Sequence, residues 1–122
     1  MDSFIAELIF FLNNLKLYNW STTSYARHKA SDDCFAAVQS LTDKFVEIFI
    51  GKYGRSSIIN PIKKVKIPIE ISTDNDAKIL IKRYIDYLKK LNLSESQDSD
   101  LLNIRDELVG HLNQTLYLFT LE

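Results

Sequence analysis

Residues 18–55 read YNWSTTSYARHKASDDCFAAVQSLTDKFVEIFIGKYGR, and the helix that this stretch predicts decides the fold. Large apolar side chains recur in it three or four residues apart, a spacing typical of one face of an α-helix. This seam consists of Phe35, Val38, Phe45 and Phe49, interrupted only by Thr42. We therefore predict a helix from about Ser24 to Ile50, and we expect Gly51 to end it.

Three further segments have the same helical periodicity. They run from about Ser3 to Tyr18, from about Asp74 to Leu91, and from near Asp98 or Asp100 to about Thr120. Glycine and proline are scarce, with 3 and 2 residues, whereas β-sandwiches and barrels need many turns. The sequence therefore predicts an all-α protein with a single helical domain over residues 1–122.

The links between the later helices predict how the helices are arranged. The short polar link NLSESQDS makes helices three and four antiparallel neighbours. The link from Lys52 to Ile71 is long enough, when extended, to run the length of a bundle. Alternating apolar residues at 65, 67, 69 and 71 favour such an extended path. Two antiparallel helices, a long crossover and two more antiparallel helices form a ferritin-like four-helix bundle; an up-and-down bundle with a long loop is the alternative.

Charge and hydropathy exclude several classes of partner. The net charge is −1, so no global field attracts nucleic acid or an acidic membrane. The cluster Lys63, Lys64 and Lys66 supports at most weak, salt-sensitive phosphate contacts, and we expect no nucleic-acid partner. The apolar start, MDSFIAELIFFLNNLKL, lacks a basic leader and is too short to span a bilayer, so we interpret it as a buried helix.

Two carboxylates on the second helix suggest a cation site. Asp43 and Glu47 are four residues apart and therefore lie side by side, outside the apolar seam. Adjacent carboxylates repel each other unless a cation such as iron, manganese, calcium or magnesium neutralises them. His28 lies on roughly the same side but fifteen residues earlier. That separation is about 22 Å along a helix, so one ion cannot reach all three residues within one chain.

A two-fold dimer would remove this obstacle. If the second helices of two chains run antiparallel, His28 of one chain meets Asp43 and Glu47 of the other, and symmetry gives two equivalent sites. The alternative interpretation is a solvated helix face, because acidic pairs are common on exposed helices. Glu107 and His111 are also four residues apart, but we interpret His111 as a hydrogen-bonded residue at the edge of the core.

Single residues elsewhere have simpler interpretations. Cys34 has no second cysteine to pair with, which fits a reducing compartment, and we interpret it as a small buried side chain. Tyr84, Tyr87 and Tyr117 are interpreted as aromatic residues at the edge of the core or at an interface.

The order of His28, Asp43 and Glu47 resembles the pattern of Dps-type mini-ferritins. In that family a helix carries a histidine, an aspartate fifteen residues later and a glutamate four residues after that. The resemblance implies an iron site between two subunits, with the histidine from one and the carboxylates from the other. Trp20 is similar to the tryptophan of that family's His-Trp pair, but Asn19 replaces the histidine, and asparagine is a poor iron ligand.

A closer resemblance is to a small uncharacterised ferritin-like family of large DNA viruses and phages. It rests on Trp20, residues 23–30, Asp43, Glu47, residues 51–55 and residues 101–107, and it covers most of the chain. It implies a fold but no established chemistry.

Together the two resemblances imply a ferritin-like protein that binds a divalent metal, iron foremost, at a dimer interface. If the bound iron is redox-active, iron oxidation or storage like that of Dps would follow. We expect a homodimer or larger homo-oligomer in the host-cell cytoplasm or the virion, neither secreted nor membrane-bound. The alternative function is a non-enzymatic structural or interaction protein, such as a component of the viral particle, that keeps the fold without the chemistry.

Overall fold

A computed structural model describes residues 1–59 and 73–121 of the chain, and within these residues the regular structure is helical, without strands. Four α-helices and one turn of 3₁₀ helix at Arg55–Ser57 account for it. The α-helices are α1 (Phe4–Ser21), α2 (Tyr25–Tyr53), α3 (Asp74–Lys89) and α4 (Ser99–Leu118). The predicted all-α class and the four helices are confirmed. The predicted extended path over residues 65–71 lies outside the described residues.

The end of α2 and the start of α3 show which residues terminate and cap these helices. The prediction that Gly51 ends α2 was wrong, because the helix continues through Gly51 to Tyr53. Gly54 ends it instead with φ of 85°, a conformation that glycine adopts without the steric penalty of a side chain. At the start of α3, Thr73 and Asp76 form a capping box in which each side chain accepts the other residue's backbone N–H at 3.1 Å.

Contacts between α1 and α3 show that these helices are antiparallel. Near the start of α1, Glu7 pairs with Arg83 of α3 at 3.1 Å. Near the end of α1, the Tyr18 hydroxyl donates to Asp74, the first residue of α3, at 2.7 Å. The start of each helix therefore lies beside the end of the other.

Helices α2 and α4 are also antiparallel. Lys52 at the end of α2 contacts Asp100 at the start of α4 at 2.9 Å, and the Arg27 guanidinium lies 4.8 Å from the ring centre of Phe119, just past the end of α4. Arg27 also lies 3.6 Å from Asp74, so α2 and α3 begin at the same end of the bundle. Residues 59 and 73, which flank the undescribed segment, accordingly lie at opposite ends of the bundle.

Each helix packs against two others, and the core lies between them. Among the described residues, α1 contacts α2 and α3, and α4 contacts the same two helices. Stacked rings join neighbouring helices, with ring centres 4.6 Å apart for Phe4 and Phe45 and 4.4 Å apart for Phe11 and Tyr84. Tyr84 is only 2% exposed, so its predicted place at the core edge was wrong. In the described part of the chain, no helix has the length and apolar character needed to cross a membrane.

Candidate metal half-sites on helix α2

The outward face of α2 carries all three predicted ligands. Asp43 and Glu47 are exposed on it, and His28 is half-buried near its first turn. The intervening outward positions are Asp32, Ala36, Gln39 and Ser40. The face therefore has potential ligands at each end and uncharged side chains in the middle.

The hydrogen bonds of His28 determine which ring nitrogen is free. Its Nδ1 lies 2.9 Å from the backbone oxygen of Asn19. A carbonyl oxygen can only accept, so Nδ1 carries a proton, and in the neutral ring Nε2 presents the lone pair. Histidine ligands of metals commonly have this arrangement, since the outer hydrogen bond fixes both the tautomer and the ring orientation. The hydrogen bond to Asn19 therefore fixes the orientation of the His28 ring and leaves Nε2 on the side of Asp32.

Asn19 has a positioning role that the sequence did not reveal. Its side chain is 3% exposed and donates from Nδ2 to the backbone oxygen of His28 at 2.8 Å and to Ser31 Oγ at 3.0 Å. Together with the bond from the His28 ring, these contacts fasten the end of α1 to the first turns of α2. The Asn19 side chain points into the protein, so in this structure it supports His28 and is not itself a candidate ligand.

Asp32 is the functional candidate that the sequence analysis missed. One of its oxygens lies 3.8 Å from His28 Nε2, and its carboxylate is about half exposed. His28 and Asp32 are four residues apart, the same spacing as Asp43 and Glu47, and that spacing was the available signal. We call His28 with Asp32 the histidine half-site, and Asp43 with Glu47 the acidic half-site.

The acidic half-site lies beside a groove. Asp43 borders a cavity of about 670 Å³ between α1 and α2, whereas Glu47 is exposed one turn further on. The apolar part of the lining is provided by Ile5, Leu8, Leu12, Ala36 and Val46.

The structure places both half-sites on one face but does not bring them together. The helix between His28 and Asp43 is unbroken, which keeps their backbones about 22 Å apart. Within residues 1–59 and 73–121, no three His, Cys, Asp or Glu side chains converge closely enough to hold a metal ion. A complete site would therefore require ligands from a second chain.

The Cys34 thiol is not a candidate nucleophile. It is 2% exposed, as predicted, and burial raises its pKa to about 11 despite a hydrogen bond to Thr115. The thiolate form is therefore disfavoured at neutral pH. Cys34 acts as a small side chain of the core.

A second charged cluster joins the end of α2 to the start of α4. The buried carboxylate of Asp98 accepts from the Tyr53 hydroxyl and, at 2.9 Å, from the backbone N–H of Ser94. Lys52 Nζ lies 3.4 Å from Asp98 and 2.9 Å from Asp100. The Tyr53 hydrogen bond is the main reason that the pKa of Asp98 is lowered, and the Lys52 hydrogen bond is the main one for Asp100. The charges and hydrogen-bonding groups of this cluster pair with one another, so the cluster fastens the end of α2 to the start of α4.

These features define the class of the protein: a four-helix bundle whose second helix carries two pairs of polar side chains, His28 with Asp32 and Asp43 with Glu47, on its outer face. The chain belongs to a family of unknown function, DUF5856, whose family model matches residues 19–119. It is 30% identical over 104 residues to an uncharacterized 14.6 kDa protein of Enterobacteria phage T4, encoded in the mobD-ri intergenic region. The match covers 85% of this chain and 75% of the phage protein, and it confirms the expected phage relationship. No solved structure matches the chain.

Proposed function

We propose that this chain is a ferritin-like protein that binds a divalent metal ion, iron foremost, between two copies of itself. The histidine half-site of one chain and the acidic half-site of its partner supply the ligands. Each site then contains one neutral imidazole and three carboxylates, a donor set suited to Fe(II) or Mn(II). If the bound iron is redox-active, the protein oxidises Fe(II) and limits peroxide chemistry, as the resemblance to Dps implies.

The observation that carries the proposal is the register of the two half-sites along α2. Both half-sites have a four-residue spacing, so the midpoint between His28 and Glu47, which falls between residues 37 and 38, is also the midpoint between Asp32 and Asp43. In an antiparallel helix pair, a two-fold axis at that point places His28 of one chain opposite Glu47 of the other. It also places Asp32 opposite Asp43. The same axis generates a second identical site.

The exposed side chains nearest that axis are uncharged. Ala36 and Ser40 are small and lie on either side of the midpoint, and Gln39 is the larger exposed side chain between them. The groove between α1 and α2 adds apolar surface from Leu8, Leu12 and Val46 beside the same face. Burying this surface would stabilise the dimer, in addition to the stabilisation that the bound metal provides.

The order of the helices supports the ferritin-like part of the proposal. Helices α2 and α3 begin at the same end of the bundle and do not pack on each other among the described residues. In an up-and-down bundle, consecutive helices are antiparallel neighbours, whereas a ferritin-like bundle has a long crossover between its second and third helices. The observed neighbours match the second arrangement.

Metal titration of paired variants tests the proposal. Replacing Asp43→Asn and Glu47→Gln together should weaken Mn(II) or anaerobic Fe(II) binding by at least about tenfold, because two anionic ligands are lost. The same double variant should also lower dimer stability and reduce the rate of Fe(II) oxidation to that of buffer.

A matched control separates ligand loss from a change of net charge. The double variant Asp86→Asn and Glu95→Gln makes the same substitutions at two exposed positions on α3 and on the link to α4. It should bind metal as the wild type does. Equal affinity of the wild type and both double variants would refute the site.

Asn19 favours a second candidate function. At the position where mini-ferritins have a histidine, this chain has a buried amide engaged with His28 and Ser31. A protein that keeps the fold for a structural or interaction role, without iron chemistry, would have no need of that ligand. Wild-type protein that binds no divalent metal and oxidises no Fe(II) would refute the first function and leave the second as the remaining candidate.

A further inference from the structure

Lys16 of α1 lies at the histidine half-site. Its Nζ is 3.5 Å from Asp32 Oδ1, while the other oxygen of Asp32 is 3.8 Å from His28 Nε2. The single carboxylate of Asp32 therefore lies between the Lys16 ammonium and the Nε2 atom of the His28 imidazole. A metal bound by His28 and Asp32 would lie within a few ångströms of the Lys16 charge.

Two aromatic rings hold Lys16 in this position. Its Nζ lies 5.2 Å from the ring centre of Phe35 and 5.7 Å from that of Trp20. Both distances are within the range at which a ring face attracts a cation. Trp20 is 70% exposed and Lys16 is 36% exposed, so these contacts lie at the surface, where a partner chain would dock.

We propose that Lys16 is a built-in competitor for the metal: its ammonium neutralises Asp32 in the metal-free chain, and a divalent ion must displace it to bind His28 and Asp32. The proposal rests on the proposed metal function and assigns a residue that limits the affinity of that site. Displacement breaks an ion pair and no covalent bond. The lysine side chain is long and flexible, so its ammonium can move into solvent when the metal binds.

The competition also accounts for how the acidic groups coexist without metal. In the antiparallel dimer, Asp32 of one chain approaches Asp43 and Glu47 of the partner, and three carboxylates in one place repel one another. The Lys16 ammonium supplies a positive charge at that place, so the dimer can form before metal arrives. Metal then replaces one positive charge with two.

Titration with Co(II), whose visible absorption reports on its ligands, tests the proposal. Lys16→Met removes the charge but keeps an apolar stem against Phe35 and Trp20. It should tighten Co(II) binding by about three- to tenfold, the size expected from removing a partly exposed ion pair and the repulsion of a nearby cation. Lys16→Arg keeps the charge and should bind Co(II) about as weakly as the wild type.

Lys82→Met is the matched control, because it removes the same charge from an exposed position on α3. It should leave the affinity unchanged. Tighter binding by Lys16→Met alone, including binding where the wild type shows none, supports the proposal. Equal binding by the wild type and Lys16→Met overturns it and leaves the metal function standing. If no variant binds Co(II), the metal function fails, and the competition proposal fails with it.

Discussion

Two buried tyrosines should respond in opposite directions to the same substitution. The Tyr84 ring is 2% exposed and stacks on Phe11, but its hydroxyl is buried without a hydrogen-bond partner in the described part of the chain. An unsatisfied buried polar group costs about 1–3 kcal/mol relative to a satisfied one. Tyr84→Phe removes the hydroxyl and keeps the ring, so it should raise the free energy of unfolding by about 1–3 kcal/mol.

Tyr18 provides the matched comparison. Its ring is 1% exposed, but its hydroxyl donates to Asp74 at 2.7 Å and accepts from Arg27 at 3.2 Å. Hydrogen bonds to charged groups contribute about 1.5–3 kcal/mol, so Tyr18→Phe should lower the free energy of unfolding by about that amount. It also loosens the end of the bundle where α1, α2 and α3 meet.

Urea denaturation followed by circular dichroism measures both effects. The two variants should move the midpoint in opposite directions with little change in the denaturant slope, since neither alters the surface exposed on unfolding by much. Destabilisation of about 1 kcal/mol or more by Tyr84→Phe would refute the reasoning, because it would mean that the Tyr84 hydroxyl makes a stabilising bond.

The remaining predictions concern the core and the α2–α4 link. Phe45→Ala should lower the free energy of unfolding by about 3–5 kcal/mol in a urea melt, because Phe45 is fully buried against Phe4 and Phe49; a loss below about 1 kcal/mol would contradict the described core. Asp98→Asn should lower the melting temperature at pH 7. The pKa of Asp98 is lowered in the folded state, so its carboxylate stabilises the folded protein at pH values above the ordinary carboxyl pKa. This stabilisation is lost as the pH falls through the lowered value. The difference between wild type and Asp98→Asn should therefore shrink in acid; a pH-independent difference would contradict the stabilising contacts of the Asp98 carboxylate with Tyr53 and Lys52.

Much of the fold could be predicted from periodicity and turn chemistry. Four apolar stripes gave four helices, since a helix that buries one face repeats its apolar residues every three or four positions. The end of α2 was predicted wrongly because Gly51 and Gly54 both provide a plausible stop, and helix propensity alone does not choose between them. In the structure the last turn of α2 continues past Gly51, where Lys52 and Tyr53 contact Asp98, and Gly54 adopts the positive φ.

The candidate site could be predicted only in part. Residues on one helix are related by simple spacing, so the common face of His28, Asp43 and Glu47 was accessible from the sequence. Contacts between helices cannot be read from spacing, and for this reason the contacts of Asn19 with His28 and of Lys16 with Asp32 appeared only in the structure. The two residues lie nine or more positions before their partners on α2, beyond the reach of any local pattern.

The mass of the protein in solution tests the central claim most directly, because both halves of the proposed site cannot come from one chain. Light scattering on a sizing column, with Mn(II) or with a chelator, should give a mass of at least twice 14.1 kDa in the presence of metal. The dimer should weaken when Asp43→Asn and Glu47→Gln are introduced and persist when Asp86→Asn and Glu95→Gln are. A mass near 14.1 kDa at micromolar concentration with saturating metal would contradict the account, and the outer face of α2 would then be a solvated surface.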